Sequence, residues 1–151
     1  GGEGDYTTLF EPTATAMESE GQGYVLASVG EMAGEVPYTC YQVTRSALEK
    51  KSDTVLRFLR AIARAQHFVQ ENDAKTVAEA LAPAFADTPV ETLETVVERY
   101  RSIGAFAQTP VMHEEAYERL LDIMEQAGEL ESRPPFETIV DNSLAERAQK
   151  G

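Results

Sequence analysis

Apolar residues recur at three- and four-residue spacing through most of the chain after Ser46, which predicts a succession of helices. The clearest stripe is Val55, Phe58, Leu59, Ile62, Ala65 and Val69, in a helix capped by Ser52 or Asp53. The next helix starts at Asn72 or Asp73, turns Val77, Ala78 and Leu81 inward, and has Pro83 near its end. Thr88-Pro89-Val90-Glu91 has the spacing of a capping box with proline at the first helical position. The helix behind it carries Leu93, Val96, Val97, Tyr100 and Ile103 and stops at Gly104. Gln108-Thr109-Pro110 precedes a helix from about Met112 to Ala127, with Tyr117, Leu120, Leu121 and Met124 as its stripe and Gly128 as its stop. Ser143-Leu144-Ala145-Glu146 has the spacing of a second capping box, before a short terminal helix.

The first third is patterned differently. Tyr6–Phe10, Tyr24–Ser28 and Tyr38–Val43 are short runs rich in aromatic and β-branched residues, which predicts strands. Val29–Pro37 holds two glycines and a proline and predicts a loop, a candidate hinge or cleft rim from Gly34 to Pro37. After the first run, Pro12 presets the backbone for a helix's first turn. Glu11 and the N–H groups of that helix start therefore lie at the carboxyl end of a strand, where open α/β sheets bind ligands. The expected fold class is α/β. Three short strands with few crossovers do not close a sheet. The expectation is that partner strands lie outside these residues, and that the chain is the C-terminal part of something larger.

Charge narrows the function. The 151 residues carry 13 Lys and Arg against 26 Asp and Glu, a net charge of −13. Such a field repels phosphate backbones and anionic lipid heads, so nucleic acid and membrane surfaces are poor partners. The one basic stripe, Arg57, Arg60, Arg64 and His67, is a solvated face or a partner contact. A single cysteine, Cys40, excludes an internal disulfide and fits a buried structural thiol better than a reactive one. His67 and His113 have no second ligand at metal-binding spacing, and no nucleophile elbow, phosphate loop or local triad pattern occurs. No metal and no cofactor is expected.

Glu11 either caps its own helix or accepts hydrogen bonds from an amine or amidine of a ligand. The N–H groups behind Pro12 could instead hold a sulfonate or carboxylate. The two options conflict, because Glu11 repels a nearby anion, and a nitrogenous heterocycle is the better fit. Tyr6, Phe10 and Tyr38 stack on a ring or, more in keeping with ordinary packing, belong to the core. Hydroxyls of Thr7, Thr8, Thr13, Thr15 and Thr39 lie in the same region.

The order Asp5-Tyr6-Thr7-Thr8-Leu9-Phe10-Glu11-Pro12, then Gly23–Ser28, then Pro37–Val43, then Val55–Ala61 and a late Gly128-Glu129-Leu130 resembles one family. It is similar to the C-terminal half of extracytoplasmic solute-binding proteins of ABC importers, in the nitrate/sulfonate/taurine and thiamine-pyrimidine-precursor group. Phe10 stands where that group commonly has tryptophan. The resemblance implies part of a type II periplasmic-binding-protein-like bilobal fold. Residues 1–37 would end the second lobe, and 38–151 would cross back to the first. It further implies a non-enzymatic module that binds an organic sulfonate, a nitrate-like anion or a thiamine pyrimidine precursor, with Thr8, Phe10, Glu11, Thr13, Tyr38 and Thr39 as ligand-binding residues. The implied partner is the importer's membrane permease. The implied location is extracytoplasmic, periplasmic or lipid-anchored, with the signal segment not in this chain. A fragment of that kind would dimerise or exchange strands. The alternatives are a thiamine-pyrimidine synthase-like enzyme and a free-standing helical interaction domain.

Overall fold

The computed structural model describes residues 4–150. Every regular element among them is helical: α1 (Thr13–Ser19), α2 (Val29–Ala33), α3 (Arg45–Lys50), α4 (Ser52–Glu71), α5 (Ala74–Leu81), α6 (Val90–Ser102), α7 (Glu114–Gln126), α8 (Phe136–Ile139) and α9 (Ser143–Gln149), with a 3-10 turn at Ala82–Ala84. The chain divides into two compact units. One holds residues up to Val29 together with Glu71–Phe106, and the other holds Gly30–Gln70 and the residues from Ala107 onward.

The α/β expectation is therefore corrected: among the described residues no strand forms. Tyr6–Phe10, Tyr24–Ser28 and Tyr38–Val43 are irregular, and all but Ser28 are exposed. Strand preference is largely packing against a neighbouring strand, and none of these runs has such a neighbour among the described residues. The bilobal sheet fold inferred with those strands falls with them. Tyr6, Phe10 and Tyr38 are not core residues either; they are 82%, 70% and 75% exposed. Cys40 is exposed rather than buried. Part of the expected loop after Ser28 is the short helix α2, ended by Gly34 at φ +75°, a backbone conformation that side chains resist.

The first unit is built on α5 and α6, the most extensively packed pair of helices, with α1 also against α6. Asp73 caps α5, its carboxylate accepting from Thr76 N–H at 2.7 Å. Val77, Ala78, Leu93, Val96 and Val97 bury the facing stripes, as their spacing predicts. The Thr88 capping box does not form. Pro89 occupies the N-cap itself, and no side chain caps the helix. The end of α6 is as expected: Gly104, at φ +65°, lets Ala105 N–H reach Tyr100 O at 2.8 Å.

In the second unit, Thr44 caps α3 through Ala47 N–H at 3.2 Å. Helix α4 begins at Ser52, so Ser52 and Asp53, expected as caps, lie inside its first turn; Leu56 is its buried residue while Phe58 and Ala65 are exposed. Helix α7 buries Tyr117 and Leu121, and Tyr117 meets Phe136 edge-on at 5.4 Å. It ends at Gly128, at φ +74°, where Glu129 N–H reaches Met124 O at 2.9 Å. The Ser143 capping box is also absent. Ser143 is the first residue of α9, and Asn142 at the N-cap turns its amide elsewhere. Its Oδ1 accepts from Met112 N–H at 3.1 Å, and its Nδ2 donates to Met112 O at 2.8 Å. Leu144, Ala145 and Ala148 bury the inner face of α9.

Candidate functional site

The polar centre of the first unit is Arg99, on the last turn of α6. Its Nη1 donates to Thr15 Oγ1 at 2.8 Å and reaches Glu11 Oε1 at 3.4 Å, and its Nη2 pairs with Glu18. Burial opposes the Arg99 charge, but hydrogen bonds to Glu18 and Glu11 outweigh it and hold the guanidinium more firmly protonated than usual. Glu18 is held below the ordinary carboxylate range, first by Val25 N–H donating to its Oε1 at 3.0 Å and then by Arg99. Glu11 precedes the seven-residue α1 and Glu18 lies in its last turn, so one arginine secures the helix near both ends.

Glu11 is the most enclosed of these acids, with its side chain 10% exposed. Its Oε2 accepts from Thr15 N–H at 3.0 Å, so it caps α1. Ala14 N–H goes to Phe10 O at 3.2 Å and Ala16 N–H to Pro12 O at 3.0 Å. The N–H groups that could have met an anion behind Pro12 are largely committed within the chain. The Tyr100 phenol is pushed up by burial and further by the Glu11 carboxylate beside it.

An open groove of about 290 Å³ adjoins this cluster. Thr15, Glu18, Glu91, Thr92, Thr95 and Arg99 line it. Arg99 is already matched by Glu11 and Glu18, so Glu91 leaves the wall with an excess of negative charge. Hydroxyls on α1 and α6 supply donors and acceptors around it.

The sequence-derived candidates distribute unevenly around the groove. Glu11 braces the arginine that lines it. Thr8, Phe10 and Thr13 are exposed in the same unit, outside the groove lining. Tyr38 and Thr39 are exposed in the second unit. Sequence reasoning did not single out Arg99, Glu18 or Glu91. The available signal was an arginine on the polar side of a helix otherwise rich in glutamate. Its partners lie 81 to 88 residues away in the chain, so no local pattern could name them.

In the second unit, Arg133 pairs with Asp122, with Glu125 at 2.6 Å and with Glu118 at 3.2 Å. Arg119 Nη1 donates to Glu35 O at 2.8 Å, and His113 Nδ1 lies 3.0 Å from Glu35 Oε1, tying the segment after α2 to α7. On the basic stripe, Arg57 Nε donates to Asp53 O at 3.3 Å, and Arg57 and Arg64 are exposed. Among the described residues, no three of His, Cys, Asp and Glu converge as a metal would require. No helix among them is long and apolar enough to cross a membrane.

No family model matches the chain, and no solved structure matches it. The chain is similar to a protein of Bacillus subtilis (strain 168) described as "Putative binding protein YtlA", with 38% identity over 146 residues. The match takes in 97% of this chain and 44% of that relative, so the chain spans less than half the length of the curated protein it resembles.

Proposed function

We propose that the chain forms part of a solute-binding protein that delivers a small polar solute to the permease of an ABC importer, outside the cytoplasm, without chemistry of its own. The observation that carries this reading is the similarity, along nearly the whole chain, to a protein described as a binding protein. The groove beside Arg99 is the proposed solute site. Its uncompensated carboxylate favours a cationic nitrogen and disfavours a sulfonate or nitrate, because the arginine that could attract an anion already has two carboxylates. The solute class is therefore a protonated amine or nitrogen heterocycle, with a thiamine pyrimidine precursor preferred among the three solutes the resemblance implies. Phe10, an exposed ring in the same compact unit, is the proposed stacking surface for such a ring. Thr8 and Thr13, in the same compact unit, are the further proposed contacts.

Calorimetric titration with an aminopyrimidine, taurine and nitrate tests the reading. The aminopyrimidine is expected to bind, and Glu91→Gln to weaken it about tenfold, the loss of one charge-assisted hydrogen bond. Tighter binding of taurine or nitrate, or an unchanged affinity in Glu91→Gln, would overturn the site assignment. A second reading, a helical interaction domain, is favoured by the helical character of every regular element among the described residues. It expects no heat from any of the three solutes.

A further inference from the structure

Among the described residues sixteen large apolar side chains are exposed, and their distribution is uneven. Eleven of them fall between Tyr6 and Val43, although that stretch is about a quarter of the chain. Tyr6, Phe10, Tyr24, Leu26, Tyr38 and Tyr41 are each at least 70% exposed. Solvated helix faces explain scattered apolar residues, but these sit on irregular backbone, where nothing in helical periodicity puts them outside. Val25 N–H goes to the Glu18 carboxylate, Tyr38 N–H goes to Val36 O, and Tyr41 meets Phe58 edge-on at 4.8 Å.

We infer that Tyr6–Phe10, Tyr24–Ser28 and Tyr38–Val43 are docking segments covered by further polypeptide of the same protein, equivalent to the part of the longer relative that this chain does not match. Two observations choose this occupant. More than half of the relative's length lies outside the match, which is ample polypeptide to cover three short segments. The chain's net charge of −13 disfavours a second copy, since two such chains repel. The contacts expected are apolar side chains of the covering polypeptide against the exposed aromatic rings. The covering is a matter of buried surface, and the helices of the described residues stay as they are. It is independent of which solute the groove holds.

Hydrogen exchange read by mass spectrometry tests it, on this chain and on the full-length Bacillus subtilis relative. The expectation is fast exchange at the three segments in this chain, and exchange slower by at least about a hundredfold at the aligned segments of the relative. Equally fast exchange in both proteins would overturn the inference. So would protection in this chain that rises with its own concentration, with light scattering reporting a dimer, because the occupant would then be a second copy. A co-purification arm adds the relative's unmatched portion to this chain; a complex that Tyr24→Ser with Leu26→Ser weakens at least tenfold supports the assignment, and an unchanged complex counts against it.

Discussion

Two arginines in this chain each gather several carboxylates, one in each compact unit, and they do different work. Arg99 meets Glu11, Glu18 and Thr15, and its partners' side chains are 10% and 30% exposed at the two acids. Arg133 meets three acids, but these are 49% to 59% exposed. By number of ion pairs the second cluster is the richer. By physics it is the weaker, because water and salt screen exposed charges while a half-enclosed pair keeps more of its attraction. Arg133 also joins acids from one helix only, whereas Arg99 ties α6 to α1 and to the segment just before it. The units differ in charge as well. The one around Arg99 has twelve acidic side chains against three basic, and the other fourteen against ten. One of three basic residues among twelve acids holds more of the local balance than one of ten among fourteen.

The largest expected effect sharpens the setting of this contrast. Leu93→Ala, which opens the packed α5–α6 interface, is expected to destabilise the first unit by about 2–5 kcal/mol in chemical denaturation. Arg99→Ala is expected to cost about 1–3 kcal/mol through its bonds to Thr15 and Glu11, with faster hydrogen exchange confined to α1 and its flanks. Asn142→Ala removes both bonds to the Met112 main chain and is expected to cost about 1–2 kcal/mol in the second unit, read from exchange at α9. Lowering the pH probes the same cluster. Glu18 has a depressed pKa, so its contribution is complete above its ordinary value of 4.5 and is lost as pH falls through the lower, folded value. Asp73, depressed from 3.8 by its cap to Thr76, behaves in the same sense, so both α1 and the start of α5 are expected to loosen only once the pH has fallen below the ordinary carboxylate range. Arg133→Ala is the smallest, with no expected shift of the unfolding midpoint. A shift as large as that of Arg99→Ala would break the comparison.

Arg99 also shows where sequence reading ends. The helices were legible because burial on one face imposes its period on the residues themselves: Val77, Ala78, Leu93, Val96, Val97, Tyr117 and Leu121 are where the stripes put them. Helix ends at Gly104 and Gly128 were legible because a positive φ selects glycine. Caps were less so. Thr88 and Ser143 have the right spacing, yet a proline takes one N-cap and Asn142 takes the other while its amide serves Met112. The groove was half legible. Glu11 stood out from its place before Pro12, but Glu18 and Glu91 look like any surface acid until Arg99 arrives.

Sequence alone determined the positions of the longer helices, their glycine stops and the acidic balance, since each depends on neighbours a few residues apart or on composition. Tertiary structure decided that Tyr6–Phe10, Tyr24–Ser28 and Tyr38–Val43 are not strands among the described residues, that Cys40 is exposed, and that Glu11 is spent on Thr15 and Arg99. A strand exists only through the backbone beside it, and a carboxylate's role depends on which cation the fold brings within reach; neither is written in the residues next door.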